Sequence, residues 1–133
     1  MLTIDEFGEM LNEIADELPE ELFKELNGGV VLVEHSKIHP ESDHINKLYI
    51  MGEYHHQPLG LGRYIVIYFG SFVNVYTHKT REQLKEELKR VVNHEFLHHL
   101  ESLAGERGLE IKDAHDIAKY KLRYRRDTQT RKM

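Results

Sequence analysis

Apolar positions recur along this chain with changing period, and each change marks an element. Ile4, Phe7, Leu11, Ile14 and Leu18 fall at steps of three and four residues, which predicts an amphipathic helix with an acidic outer face. Thr3 and Glu6 stand at capping-box spacing at its start, and Pro19 ends it. Pro19 to Leu26 predicts a second, short helix with Pro in its first turn, stopped by Asn27-Gly28-Gly29. Strand signals follow in Val30–Val33, Lys47–Tyr54 and Tyr64–Phe69, the last apolar enough to lie inside a sheet. His35–His44 reads as a polar loop and Gln57–Gly62 as a turn or wide loop. Helical spacing returns after Thr80, which forms a second capping box with Gln83. The longest helix runs from about Arg81 to about Ala104, with Gly105 as its stop, and a last one spans roughly Lys112 to Arg125. Without repeat or linker, the pattern is one α+β domain over residues 1–125, followed by a basic tail, 126–133.

The 133 residues are 40% hydrophobic and 31% charged, enough for one ordinary core and unlike a disordered or low-complexity chain. The lack of Cys excludes disulfide frameworks, thiolate metal sites and Cys nucleophiles. No apolar run approaches the ~20 residues that cross a bilayer, so no membrane partner is expected. The acidic start, Met1 to Glu6, is unlike a secretory signal, so the expected setting is cytoplasmic. A net charge of −5 gives no general pull toward nucleic acid. The stretch from Lys119 to Lys132 is basic but lacks a base-stacking aromatic pattern. Tyr120 and Tyr124, four apart, read as helix packing and the tail as solvated.

Of the 10 His, two stand in His94-Glu95-Phe96-Leu97-His98, an H-E-x-x-H pattern late in the long helix. Residues four apart lie about 40° apart round a helix and one turn along it, so both imidazoles can reach one ion without bending the backbone. Zn²⁺ suits neutral imidazole nitrogens, and a catalytic site wants three protein ligands with a fourth position open to water. Glu95 is placed to take the proton of that water. Leu84, Leu88, Val91, Val92, Phe96, Leu100 and Leu103 cover one broad side of the helix, and His94 and His98 border it. A helix buried against a sheet opens into a cleft along such a border.

Glu101 continues the His94–His98 stripe, and helical side chains lean toward the N-terminus, which tips its carboxylate toward the ion. It ranks first as third ligand, although positions 94 and 101 lie about 10 Å apart along the axis. Glu106 is its rival, since Gly105 lets the chain turn back. Glu110, Asp113 and His115 are the remaining candidates. His99 lies about 100° round from His98, off the ligand stripe, where it can line the cleft or orient a neighbour. His55 and His56 are adjacent on a strand and face opposite ways, and His39 and His44 sit in a loop, so no second metal site is expected. Tyr49, Tyr54, Tyr64 and Tyr68 could offer a hydroxyl to a developing oxyanion, but strand tyrosines more often simply pack, and none is assigned that role.

With these residues in view, the chain resembles the small zincin-like metallopeptidases with a minimal metalloprotease-like domain. The resemblance runs from the first helix to about Tyr124. It is carried by Leu18-Pro19-Glu20-Glu21, Gly52-Glu53-Tyr54 with Pro58-Leu59, Tyr64–Tyr68 with Gly70, and His94-Glu95-Phe96-Leu97-His98-His99. It implies a zincin-like fold, one Zn²⁺ held by His94 and His98, and Glu95 as catalytic base. Many members read H-E-x-x-H-H-x-G-x-x-D, with the Asp as third ligand. Here those last two places hold Glu101 and Ala104, so the family's third ligand does not carry over.

The expected activity is therefore metal-assisted hydrolysis of a peptide or protein substrate in a shallow cleft, with either an extended peptide laid along a sheet edge or a very restricted native substrate. Two rivals stand beside it: a non-catalytic metal- or partner-binding module on the same scaffold, and an RNA-associated protein using the basic tail.

Overall fold

The structure, a computed structural model, describes residues 2–43 and 47–107, with only the helical backbone of Glu106 and Arg107. Helix α1 (Ile4–Glu17) starts at the capping box: the Thr3 N–H donates to Glu6 Oε1 at 3.0 Å, and the Glu6 N–H donates to Thr3 Oγ1 at 3.2 Å. Its inward stripe is Phe7, Met10, Leu11 and Ile14, all buried. Helix α3 (Arg81–Arg107) starts the same way, with Thr80 and Gln83 satisfying each other's backbone N–H at 3.0 and 3.2 Å. Both helices bear on one mixed sheet, in which β1 (Gly29–Val33), β5 (Gly62–Tyr68) and β4 (Gly52–Gln57) lie in the order β1-β5-β4. The central β5 pairs parallel with β1, Val30 opposite Ile65, and antiparallel with β4, Tyr54 opposite Ile65. Ile65 and Ile67 of β5 join the helix stripes and Leu88, Val92, Phe96 and Leu100 of α3 in one core.

Several elements differ from the expectation. The second helix is a short 3₁₀ turn, Glu20–Phe23, because the chain turns out at Glu25, a non-glycine residue at φ 61°. The strand expected over Lys47–Tyr54 divides at Met51. Its first part, β3 (Tyr49–Ile50), pairs with β2 (Lys37–Ile38) in a separate two-stranded sheet, so the loop expected over His35–His44 contains a strand. Helix α2 (Phe69–Val75) follows β5 directly, where the apolar run gave only a strand signal. It comes close to the His35–Ser36 backbone, since a Cβ on Gly70 would sit 2.5 Å from the Ser36 nitrogen. Helix α3 passes through Gly105 instead of stopping there. The helix expected over Lys112–Arg125, and the tail, lie outside the described residues.

Gly52 sets how near the edge strand comes to the long helix. A Cβ there would lie 2.9 Å from Val91 Cγ1 and 3.1 Å from Ile67 Cδ1, so this position suits only a residue without a side chain. The outer half of α3 is thereby laid alongside β4. Among the described residues no helix is long and apolar enough to cross a membrane.

Candidate functional site

Between β4 and α3 runs an open cleft of about 660 Å³, walled by Gly52 to His55 on the strand and by His94, Glu95, His98, Glu101 and Ser102 on the helix. The apolar stripe of α3 is turned into the core, which leaves His94 and His98 on its exposed side. Their rings lean together, with Nε2 of His94 3.0 Å from Nε2 of His98 and the ring planes at 86°. Two such nitrogens are satisfied together by a shared proton or by a cation. At a Zn–N distance of about 2.0–2.1 Å, a tetrahedral ion holds two nitrogens about 3.3 Å apart, so the pair fits with an opening of a few tenths of an ångström.

Glu95, one residue on from His94, is only 5% exposed. Burial, and then the negative charge of Glu53 across the cleft, push its carboxyl from 4.5 up to about 7. Burial pushes Glu53 up too, but hydrogen bonds from Lys37 and Tyr68, the Lys37 charge and the contact with His55 outweigh it and hold Glu53 below the ordinary range. Lys37 Nζ lies 2.8 Å from both Glu53 oxygens, and the Tyr68 hydroxyl donates to Oε1 at 2.5 Å. The two carboxyl groups of the cleft are thus driven apart, one kept ionised and one titrating near neutrality. That separation suits a group that must both take and return a proton at pH 7.

The Glu95 shift has a consequence for stability. A carboxyl raised in the fold contributes stability that is present below about pH 4.5 and lost as pH rises through about 7. Metal-free protein is therefore expected to lose stability across that window relative to Glu95→Gln, by an amount on the order of 3 kcal/mol. Urea denaturation of both proteins with chelator present, at several pH values, measures it. Parallel pH profiles would count against the burial of Glu95.

Of the residues singled out in the sequence, His94, Glu95 and His98 come together. Glu101 is exposed and lines the same cleft. Among the described residues no three His, Cys, Asp or Glu gather as a metal-holding group. The Glu106 side chain, Glu110, Asp113 and His115 lie outside those residues, as does His44. His55 stacks on Tyr64, ring centroids 4.9 Å apart. His99 is fully buried, and burial lowers its pKa, which keeps the ring neutral. Its Nδ1 lies 2.9 Å from the Tyr54 hydroxyl and its Nε2 2.8 Å from the Lys24 carbonyl oxygen. Sequence reasoning gave Glu53 no role. A lone acid within an otherwise apolar strand candidate was the signal available.

No protein-family model matches the chain, and no curated protein matches it. Among solved structures it is similar to a conserved hypothetical protein from T. thermophilus, with a TM-score of 0.65 and 32% sequence identity. The alignment covers 77% of this chain and 98% of that one. Identity of that order across nearly the whole neighbour marks common descent as well as a shared fold, and the chain belongs to the family of that conserved hypothetical protein.

Proposed function

We propose that the protein is a zinc-dependent metallopeptidase of zincin-like fold, hydrolysing peptide bonds in a peptide or protein substrate. The observation that carries this reading is the convergence of His94 Nε2 and His98 Nε2, 3.0 Å apart, in the cleft that buried Glu95 also lines. His94 and His98 would hold the ion, with Glu101 as the third ligand. Bound zinc acidifies a water molecule and polarises the scissile carbonyl. Glu95 takes a proton from the attacking water on its carboxylate and returns it to the leaving amine, and a pKa of about 7 suits both halves of that task. Glu53, held ionised by Lys37 and Tyr68, keeps the proton affinity of Glu95 high. β4 is the edge of its sheet, so its backbone offers an extended peptide a rail beside the cleft. The cysteine-free composition supports a cytoplasmic setting as part of this proposal.

A second reading, a metal- or partner-binding module without turnover, is favoured by one observation, the lack of a third gathered ligand among the described residues. Dye-labelled, unfolded casein separates the two. The peptidase reading expects cleavage that a chelator stops and added zinc restores. Intact casein at every zinc concentration would favour the binding module.

A further inference from the structure

A second hollow, of about 350 Å³, lies in the angle between the starts of α1 and α3 and the short helix α2. Leu84, on its wall, precedes His94 by ten residues, about 15 Å along the axis of α3, so the hollow is separate from the cleft. Its walls are largely aromatic. The Phe7 ring lies 5.2 Å from that of Phe69 and 5.1 Å from that of Phe72, centroid to centroid. Tyr76 packs on Phe72 at 5.8 Å, and its hydroxyl donates to Glu87 of α3 at 3.1 Å, which holds the ring in place. Fixed rings around a half-open space favour an apolar occupant, because covering them removes their surface from water.

Lys79 supplies the polar end. Its ammonium stands 5.5 Å over the centre of the Tyr76 ring, and among the described residues no carboxylate pairs with it. Arg81 also lines the hollow, but its charge is shared with Glu6 and Glu13. Glu6, the acid on the wall, accepts the Thr3 N–H and so serves its own helix start. The charge left over at the mouth is positive. The walls come from helices and the chain beside them, without a strand edge, so an extended peptide finds no ladder to join. We propose that this hollow is a second ligand site that takes a small carboxylate with an aromatic or branched aliphatic body. The body sits among the Phe and Tyr rings, and the carboxylate pairs with Lys79. The site stands apart from the peptidase reading and does not depend on it.

The test titrates the full chain, ¹⁵N-labelled, with 3-phenylpropionate, its neutral amide and the cation 3-phenylpropylamine, followed by NMR at low ionic strength. The acid is expected to shift the amide signals of Val73, Tyr76 and Leu84 most, and to bind about fivefold more tightly than the neutral amide. The amine should bind more weakly than either. In Lys79→Gln the acid is expected to lose that advantage while the neutral amide binds as it does to the wild type. Lys79→Arg, which keeps the charge, should restore the preference. Lys79 is exposed, so both variants are expected to fold. Shifts that miss the wall residues, equal binding of acid and neutral amide to the wild type, or a preference for the amine would overturn the proposal. So would an acid preference that survives Lys79→Gln. Each of these results leaves the peptidase reading where it stands, since that reading is tested by cleavage.

Discussion

Glu95→Gln is expected to lower peptide hydrolysis by between a hundredfold and ten-thousandfold while zinc content stays at the wild-type level. Gln keeps the length and volume of Glu but cannot take a proton from water, so the substitution removes the general base and little else. Glu95 is not one of the converging imidazoles, so the ion should stay. Gln also removes the cost of a buried charge next to Glu53, so the variant should fold at least as well as the wild type above neutral pH. Parallel assays of zinc content and cleavage on the same preparations measure the effect. A variant that keeps turnover would remove Glu95 from the mechanism. Loss of zinc along with turnover would recast it as a ligand.

His94→Ala and His98→Ala are each expected to weaken zinc binding by at least about a hundredfold. Removing one imidazole leaves a single neutral nitrogen and exposed oxygen donors, and even substitutions behind the ligands of a zinc site cost ten- to a hundredfold. A ligand bound only by the folded state stabilises it by about 2.7 kcal/mol at a hundred times its Kd. Zinc should therefore raise the melting temperature of the wild type and of Glu95→Gln, and leave that of the two alanine variants nearly unchanged. His55→Ala is the control, since His55 stacks on Tyr64 and is no part of the converging pair. An equal response to zinc in all four variants would place the ion elsewhere.

The sequence showed the helices far more clearly than the sheet. Thr3–Glu6 and Thr80–Gln83 act through local hydrogen bonds, so spacing alone marks both helix starts. Position on α3 likewise fixes which way His94, Glu95 and His98 point, and their gathering on one cleft was legible from a five-residue pattern. Pairing of strands is not local. Nothing in Lys47–Tyr54 says that its first half binds Lys37–Ile38 and its second half binds β5, because that division depends on Gly52 meeting Val91 and Ile67 in space. Helix α2 was hidden for a related reason, as Phe69, Phe72 and Val73 suit a strand as well as a helix. The Glu53–Lys37–Tyr68 cluster joins residues 15 and 16 positions apart in the chain, and the Tyr54–His99 pair joins residues 45 apart. Contacts of that separation leave no periodic trace, and so the groups that tune Glu95 and orient Tyr54 emerged only with the fold. His99 shows the limit well: its place off the ligand stripe followed from helix geometry, but its partners did not.

The most direct test of the account is anomalous diffraction at the zinc edge from crystals of the zinc-loaded protein. One peak per chain is predicted, bonded to Nε2 of both His94 and His98, and the same map identifies the third donor. A map with no peak between those rings, or a zinc ion bound only at other residues, would contradict it.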